Sequence, residues 1–209
     1  MNAKVSRPDS VFVSNGEVFI ADRYNHRVRK LLRNGQIVSI AGVGSMGDGQ
    51  LATRSQLNFP KAVFVSSLNQ VYISEDGRIR KIDRHGIIST IAGTGEEGYN
   101  GDDQLAIHAE LEGNLGLFVT DDEEVYICDH GNHRVRKIDR FGVISTIAGT
   151  GEAGYNGDGI LATDARLYYP SNVYIYKNEI YISDTFNQRI RKVLQNGIIT
   201  TIAGTGEIG

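Results

Sequence analysis

The chain has 209 residues, of which 40% are hydrophobic and 22% are charged, and its net charge is −3. This length can bury a sizeable core, whereas the slight acidic excess disfavours a nucleic-acid-binding surface, which usually carries a basic excess. No apolar run approaches the roughly 20 residues that span a bilayer, and the N-terminus lacks the apolar core of a signal peptide, so no compartment is predicted.

The first predicted elements, in residues 1–42, are four short β-strands. Their sequences are VFV (11–13), EVFIAD (17–22), a segment with the basic cluster RVRK (27–30), and IVSIAG (37–42). β-Branched and aromatic residues, punctuated by Gly, Asn and Asp, favour strands over helices. Between the third and fourth strands, Asn34-Gly35 predicts a tight turn because glycine readily adopts a positive φ.

The same four-strand pattern returns in residues 43–93, 94–149 and 150–209. Each copy ends its fourth strand on I-A-G, and the basic clusters recur at a spacing of roughly 50 residues, which indicates a repeat architecture. A proline precedes the first strand of three copies, and Asn114 takes that position in the third. The second strand is apolar at consecutive positions, so it needs cover on both faces, as when blades stack in a propeller.

Three motifs carry a family resemblance: P-x-x-V-F-V, V-Y-I-x-D-x-x-N-x-R-I-R-K and I-x-T-I-A-G-T-G. They resemble the NHL-repeat β-propeller, and the connector YNGDG-x-L-A-T is similar to that of the teneurin-like and microbial multi-repeat subtype. The resemblance covers nearly the whole chain and implies an all-β propeller of four visible four-stranded blades. Because such propellers commonly have six blades, we expect a segment of a larger propeller, with possible self-association if four blades do not close.

A G-x-G-x-x-G motif follows the fourth strands, as at Gly93, Gly95 and Gly98. In a dinucleotide-binding fold, this motif precedes a long helix that covers a parallel sheet. Here only one or two helical turns fit before the next strand, and the motif recurs in every copy, ending with Gly204, Gly206 and Gly209. We therefore interpret it as a blade-to-blade connector and predict no cofactor.

The connectors also carry Asp48, Asp102 and Asp158 in their Gly-Asp pairs. A calcium loop is one interpretation, but it needs a run of alternating oxygen ligands closed by a bidentate Glu, which is missing. We expect instead that these aspartates cap the short helix that begins near the following Leu-Ala.

An acidic residue ends the second strand of each copy, a short turn before the first arginine of the basic cluster. A hairpin places the two opposite each other, and such cross-strand pairs stabilise sheets. We favour this structural role for the clusters over phosphate binding. The predicted pairs are Asp22 with Arg27, Glu75 with Arg78, Asp129 with Arg134, and Asp184 with Arg189.

Cys128, His130 and His133 lie close together and offer zinc-ligand types. Zinc usually takes four ligands, and the other copies do not repeat this set, so we expect a packing cysteine and a turn histidine and predict no metal. No catalytic signature is present, and the polar residues near the inner strands, Asp9, Lys61 and Asn172, are too scattered to assign roles. We therefore predict that the chain is not an enzyme.

The connectors and the second-to-third strand turns should lie on one face of the propeller because the chain reverses direction at each strand. Loops held by a rigid scaffold commonly carry binding residues, and aromatic residues are suited to protein contacts. We predict a non-catalytic scaffold that binds a protein, or a glycan, with this face. The candidate residues are Tyr24, Asn25, His26, Tyr99, Asn100, Asn132, His133, Tyr155, Asn156, Phe186, Asn187 and Gln188.

Two alternatives stay open. The first is a propeller lyase or lactonase with a metal near its axis, and the second is an NHL surface that binds RNA. For any single Asn or Asp of the candidate face, a role in organising its turn competes with partner contact.

Overall fold

The structure is a computed structural model that describes residues 3–113 and 116–208. In this part of the chain, nearly all regular structure is β, in four antiparallel sheets. The predicted all-β fold is confirmed, and the sheets form the four blades of a β-propeller. Asn114 and Gly209, which the sequence placed at a repeat position and in a connector motif, lie outside the described residues.

The four blades contain the following strands. Blade 1 consists of β1 (Pro8–Ser14), β2 (Glu17–Asp22), β3 (Arg27–Leu31) and β4 (Ile37–Ala41). Blade 2 consists of β5 (Gln50–Leu51), β6 (Ala62–Val65), β7 (Val71–Glu75), β8 (Arg78–Ile82) and β9 (Ile87–Ala92). Blade 3 consists of β10 (Gln104–Leu105), β11 (Gly116–Val119), β12 (Val125–Asp129), β13 (Arg134–Ile138) and β14 (Val143–Ala148). Blade 4 consists of β15 (Ile160–Leu161), β16 (Pro170–Tyr176), β17 (Glu179–Asp184), β18 (Arg189–Val193) and β19 (Ile198–Ala203).

Each blade is an up-and-down meander whose first long strand is innermost. The inner strands β1, β6, β11 and β16 pack side by side and line a shared cavity. The connectors add what the sequence did not predict: β5, β10 and β15 are two-residue strands that pair with the fourth strand of the blade that follows. Each connector therefore crosses the seam and fixes the outer edge of the next blade.

The helical segments are three-residue 3-10 turns. They span Arg23–Asn25, Ala52–Arg54, Ala106–His108, Ala162–Asp164 and Thr185–Asn187. Among the described residues, none is long or apolar enough to cross a membrane.

The hydrophobic core is divided into three clusters, one at each seam between adjacent blades. At the first seam, Phe19 and Val28 of blade 1 pack with Val63 and Ile73 of blade 2. Because both faces of an inner blade are covered in this way, its strands carry consecutive apolar residues instead of alternating ones. This packing is the physical reason for the pattern seen in the second strands.

Candidate functional site

The acidic residue at the end of each second strand is almost completely buried and holds the start of the same blade. Asp129 is fully buried, and its carboxylate accepts the backbone N–H of Glu112 at 2.8 Å. The carboxylate of Asp184 accepts the N–H of Tyr168 at 2.7 Å in the same way. Asp22 and Glu75 make the equivalent bonds. These acids tie the end of each connector, or the segment before β1, to the second strand.

The strand register places each acid opposite the first arginine of its basic cluster, whereas the ion pair is made by the second arginine. Asp129 is the Cα partner of Arg134, yet the guanidinium of Arg136 lies 3.5 Å from its carboxylate. Residues two apart share one face of a strand, so both arginines can reach the acid. The first arginine turns instead toward carbonyl oxygens of the turn and connector, as Arg189 does with Asn187 and Thr205.

The other blades show the same arrangement. The Cα register pairs Asp22 with Arg27, Glu75 with Arg78, and Asp184 with Arg189. The ion pairs join Asp22 to Arg29 at 3.5 Å, Glu75 to Arg80 at 2.8 Å, and Asp184 to Arg191 at 3.3 Å.

The connector aspartates complete this network, and the prediction that they cap the short helices is wrong. The 3-10 turns begin four residues after each aspartate and have no side-chain cap. Asp102 instead lies 2.8 Å from Arg136, Asp158 lies 3.0 Å from Arg191, and Asp48 pairs with Arg80. A buried guanidinium places a full positive charge beside the carboxylate, whereas the exposed end of a single 3-10 turn offers only neutral backbone N–H groups.

The two carboxylates around Arg136 have pKa values shifted in opposite directions. Burial raises the pKa of Asp129 to about 6, although hydrogen bonds from Glu112 and Asn132 and the charge of Arg136 act against it. For Asp102, burial also favours the neutral form, but the nearby Thr146 hydroxyl and the hydrogen bond and charge of Arg136 prevail, so its pKa is lowered. The connector carboxylate is therefore the more strongly ionised partner of the guanidinium.

The connector tyrosines lie under the arginines of the basic clusters. The Arg134 guanidinium lies 4.0 Å from the ring centroid of Tyr99, and Arg189 lies 3.9 Å from that of Tyr155. Such cation–π contacts stabilise the packed arrangement. One ring face of each tyrosine is thus used internally, which leaves only the other for a partner.

The asparagines of the predicted partner face organise its turns. Asn132 donates to the Asp129 carboxylate and to the Gly98 carbonyl, at 2.8 and 2.6 Å. Asn25 and Asn187 bond to their own strand-end acids. Asn100 and Asn156 bridge the backbone within their connectors. These amides are satisfied within the chain and are poor candidates for direct partner contact.

The histidines of the predicted partner face hydrogen-bond to the backbone just before the next inner strand. Nδ1 of His133 accepts the N–H of Tyr169 at 3.2 Å, and Nδ1 of His26 accepts that of Phe59 at 3.3 Å. Burial and the charge of Arg134 lower the pKa of His133 against the charges of Glu112 and Asp184, and a lowered pKa favours the neutral ring that can accept. Gln188 occupies the equivalent position at the end of its turn.

Aromatic side chains gather at the seam between blades 3 and 4. Phe186 is 56% exposed and lies 5.3 and 5.0 Å from the rings of Tyr168 and Tyr169. The rings of His130 and His133 also pack on Tyr169, with centroids 4.7 and 4.6 Å away. We call these five residues the aromatic cluster. Sequence reasoning singled out Phe186 and His133 but missed the two tyrosines, whose signal was an aromatic pair directly before Pro170.

A smaller group of the same kind lies at the seam between blades 1 and 2. Tyr24 is exposed, and its ring centroid is 6.0 Å from that of Phe59. The Tyr24 hydroxyl accepts a hydrogen bond from Arg7 at 2.6 Å. Both aromatic groups therefore lie at the connector end of a seam.

The inner strands line an open central cavity of about 590 Å³. The rings of Phe12, Phe64, Phe118 and Tyr174 form a continuous arc across it, with neighbouring centroids 4.5, 5.2 and 4.9 Å apart. Asp9, Lys61 and Asn172, which seemed scattered in sequence, line this one cavity. Asp9 pairs with Arg23 at 2.8 Å, and Lys61 pairs with Asp76 at 2.6 Å.

The described residues contain no group of three or more His, Cys, Asp or Glu side chains placed to hold a metal ion. Cys128 is fully buried in the core between blades 3 and 4, and burial raises the pKa of its thiol. His130 and His133 belong to the aromatic cluster instead. The three residues that suggested zinc are therefore not brought together.

Two family models match parts of the chain: a teneurin NHL domain over residues 43–99 and an NHL repeat over residues 6–31. Human teneurin-4 is 25% identical over 87% of this chain, and Drosophila melanogaster teneurin-m is 31% identical over 70% of it. The chain spans 10% and 6% of those two proteins.

Solved structures share the fold at low sequence identity. An auxiliary nutrient binding protein from Bacteroides ovatus has a TM-score of 0.70 and 17% identity, over 97% of this chain and 48% of that one. Virginiamycin B lyase from Staphylococcus aureus has a TM-score of 0.60 and 17% identity, over 93% of this chain and 54% of that one. These solved structures support the propeller fold alone, whereas the two family matches, the repeat pattern and the four blades all fit an NHL-repeat β-propeller.

Proposed function

We propose that this propeller is a non-catalytic binding module that contacts a protein partner through its connector face. The exposed ring of Phe186 in the aromatic cluster carries this proposal. Aromatic side chains held on a rigid scaffold lose little conformational entropy on binding, and they dominate the energetics of many protein interfaces. Tyr24 offers a second aromatic contact on the same face, at the seam between blades 1 and 2.

The polar residues of this face support a positioning role around the aromatic anchors. Asn132 and Asn187 are held by internal hydrogen bonds, and Nδ1 of His26 and of His133 each accept a backbone N–H. Side chains fixed in this way keep Tyr24 and Phe186 on an ordered surface. A partner would then meet preorganised aromatic groups with a polar surround, which is the usual anatomy of a protein interface.

A peptide library displayed on phage and selected against the immobilised chain tests this proposal. We expect selected peptides to lose most of their affinity for the Phe186→Ala variant, and part of it for Tyr24→Ala. The matched control is Phe141→Ala, because Phe141 is 70% exposed but lies in the third-to-fourth strand turn on the opposite face. This variant removes at least as much exposed aromatic surface and should bind as the unchanged chain does.

Two results would overturn the proposal. The first is a set of selected peptides whose binding is lost in Phe141→Ala and kept in Phe186→Ala, which would place the binding surface on the other face. The second is a glycan array on which the chain binds sugars in a Phe186-dependent way while no peptide is enriched. That outcome would assign the same aromatic surface to carbohydrate.

A further inference from the structure

Two of the seams between blades contain the same hydrogen bond from the backbone to a histidine ring. At the seam between blades 3 and 4, the N–H of Tyr169 donates to Nδ1 of His133 at 3.2 Å. At the seam between blades 1 and 2, the N–H of Phe59 donates to Nδ1 of His26 at 3.3 Å. Each bond joins the second-to-third strand turn of one blade to the segment that enters the inner strand of the next.

The two donor residues have a backbone conformation that needs support. Tyr169 has φ +49° and Phe59 has φ +47°, in the left-handed region that residues with a side chain rarely adopt. Each directly precedes a proline, Pro170 or Pro60, which restricts its backbone further. The bond to histidine therefore stabilises a disfavoured conformation at the entrance to an inner strand.

This bond depends on the protonation state of the ring. A neutral imidazole has one nitrogen that accepts a hydrogen bond, whereas an imidazolium donates from both of its nitrogens. Protonation of His133 would therefore place an N–H of the ring against the N–H of Tyr169, and the contact would become repulsive. Because histidine has an ordinary pKa of about 6.5, this change falls in the mildly acidic range.

Tyr169 connects this bond to the exposed surface of the aromatic cluster. Its ring centroid lies 5.0 Å from that of the exposed Phe186 and 5.1 Å from that of Tyr168. The rings of His130 and His133 also pack on Tyr169. A change in the backbone of Tyr169 therefore reaches the surface that Phe186 exposes.

The two histidines of this seam lie among charges of both signs. The charged side chains that act on them are Lys61, Glu112, Arg134 and Asp184. Burial, the neighbouring His133 ring and the charge of Lys61 lower the pKa of His130. For His133, burial and the charge of Arg134 outweigh the two carboxylates, so its pKa is lowered as well. Both rings are therefore neutral at pH 7 and take up a proton only as the pH falls.

We propose that His133 is an acid-sensitive latch, which fixes Tyr169 and the aromatic cluster at neutral pH and releases them when it is protonated. His26 acts in the same way on Phe59. At the seam between blades 2 and 3, the short turn of blade 2 has Gly77 at the histidine position, so this seam has no such latch. The latch orders the surface to which the proposed function assigns partner contact, but its test needs no partner.

Glutamine is the matched replacement for this histidine. Its side-chain carbonyl accepts hydrogen bonds, and it does not titrate. The chain itself has Gln188 at the equivalent turn position of blade 4, with φ +52° against φ +54° for His133. His133→Gln therefore keeps an acceptor and fits the backbone of the turn, while it removes the response to acid.

Hydrogen exchange of the backbone amides, followed by NMR between about pH 4.5 and pH 7.5, tests the latch. The unchanged chain and His133→Gln are compared at the same pH, so the intrinsic pH dependence of exchange cancels. At pH 7 we expect the Tyr169 amide to exchange at the same rate in both. At the acidic end it should exchange about fivefold faster in the unchanged chain, which corresponds to the loss of one ordinary hydrogen bond. The midpoint should coincide with the titration of the His133 ring in the same chain.

Two controls isolate the histidine. His108→Gln removes an exposed histidine elsewhere, and Tyr169 should exchange in this variant as it does in the unchanged chain. In His133→Gln, the Phe59 amide should keep its response to acid because His26 is still present. Far-UV circular dichroism at each pH checks that the chains are folded.

Either of two results would overturn the proposal. The first is equal exchange of the Tyr169 amide in the unchanged chain and in His133→Gln at every pH. The second needs no variant: exchange of Tyr169 in the unchanged chain that does not change at the pH where the His133 ring titrates.

Discussion

Arg136 and Asp129 form an ion pair from which water is excluded: Nη1 lies 3.5 Å from Oδ2, and neither side chain has exposed surface. The same guanidinium lies 2.8 Å from Asp102 of the connector. One cation thus links the second strand, the third strand and the incoming connector of blade 3. The equivalent clusters around Arg80 and Arg191 link the same parts of blades 2 and 4.

Removal of this guanidinium should strongly destabilise the fold. In Arg136→Met, Asp129 and Asp102 lose their shared counter-ion, and removing one partner of a buried pair typically costs about 3–5 kcal/mol. We expect a decrease of that size in the free energy of unfolding, measured by urea titration. Lys137→Met is the control, because Lys137 pairs with Glu124 at a partly exposed site and should cost no more than about 1 kcal/mol. Equal losses in the two variants would contradict a structural role for the buried cluster.

The ion-pair cluster around Arg136 could be predicted only in part from the sequence. The acid and the basic cluster could be paired from the sequence, because hairpin register follows from strand and turn lengths. Which arginine makes the ion pair could not be predicted, since Arg134 and Arg136 share one face of the strand. Their roles are separated by the connector, because Asp102 pairs with Arg136, whereas the Tyr99 ring lies closer to the guanidinium of Arg134, at 4.0 Å against 4.9 Å for Arg136.

Contacts between adjacent blades could not be predicted from the sequence either. The repeat pattern predicted that blades stack, but the aromatic cluster forms because His133 and Tyr169 meet across 36 residues of chain. Their distance depends on the angle between two blades, which no local pattern encodes. For the same reason, Asp9 and Asn172 seemed scattered, although the curvature of the propeller brings both to one cavity.

The I-A-G glycines are required by close backbone approach, and Gly93 tests this. A Cβ at Gly93 would lie 2.0 Å from the carbonyl oxygen of Gly77, and its φ of +89° already disfavours other residues. We expect Gly93→Ala to lower the free energy of unfolding by more than about 1 kcal/mol, measured by urea titration. Gly47 belongs to the same type of connector but has nothing within 4 Å of an added Cβ. Gly47→Ala should therefore change stability by less than about 0.5 kcal/mol, and a larger loss there than at Gly93 would refute this explanation.

The basic clusters should not give the chain affinity for RNA. The second arginines, such as Arg136 and Arg191, are buried in ion pairs, and cluster lysines such as Lys137 and Lys192 pair with glutamates. Within the basic clusters, the ion pairs leave only the first arginines to displace counterions from a phosphate backbone. We expect no binding of a fluorescent oligouridylate in anisotropy titrations at about 50 mM salt. Binding that weakens steeply as salt is raised would instead support an RNA-binding surface.

The buried acid should make stability fall as the pH rises through mildly acidic values. The pKa of Asp129 is about 6 in the folded chain, because burial outweighs its hydrogen bonds and the charge of Arg136, and 3.8 without the fold. Between these values, the folded chain holds a proton that the unfolded chain has released. Linkage then lowers the free energy of unfolding as pH rises, by an amount on the order of 2–3 kcal/mol.

The measurement is urea unfolding of the unchanged chain and of Asp129→Asn between pH 4 and pH 7, the range that brackets these two pKa values. The stability of the unchanged chain relative to Asp129→Asn should decrease across this range, because the amide does not titrate. Asp102→Asn is the control: the pKa of Asp102 is lowered below 3.8, so its contribution is lost only as pH falls below that value. The difference in free energy of unfolding between the unchanged chain and Asp102→Asn should therefore stay nearly constant over the same range. If the difference in free energy of unfolding between the unchanged chain and Asp129→Asn is also constant over this range, Asp129 is ionised in the folded chain.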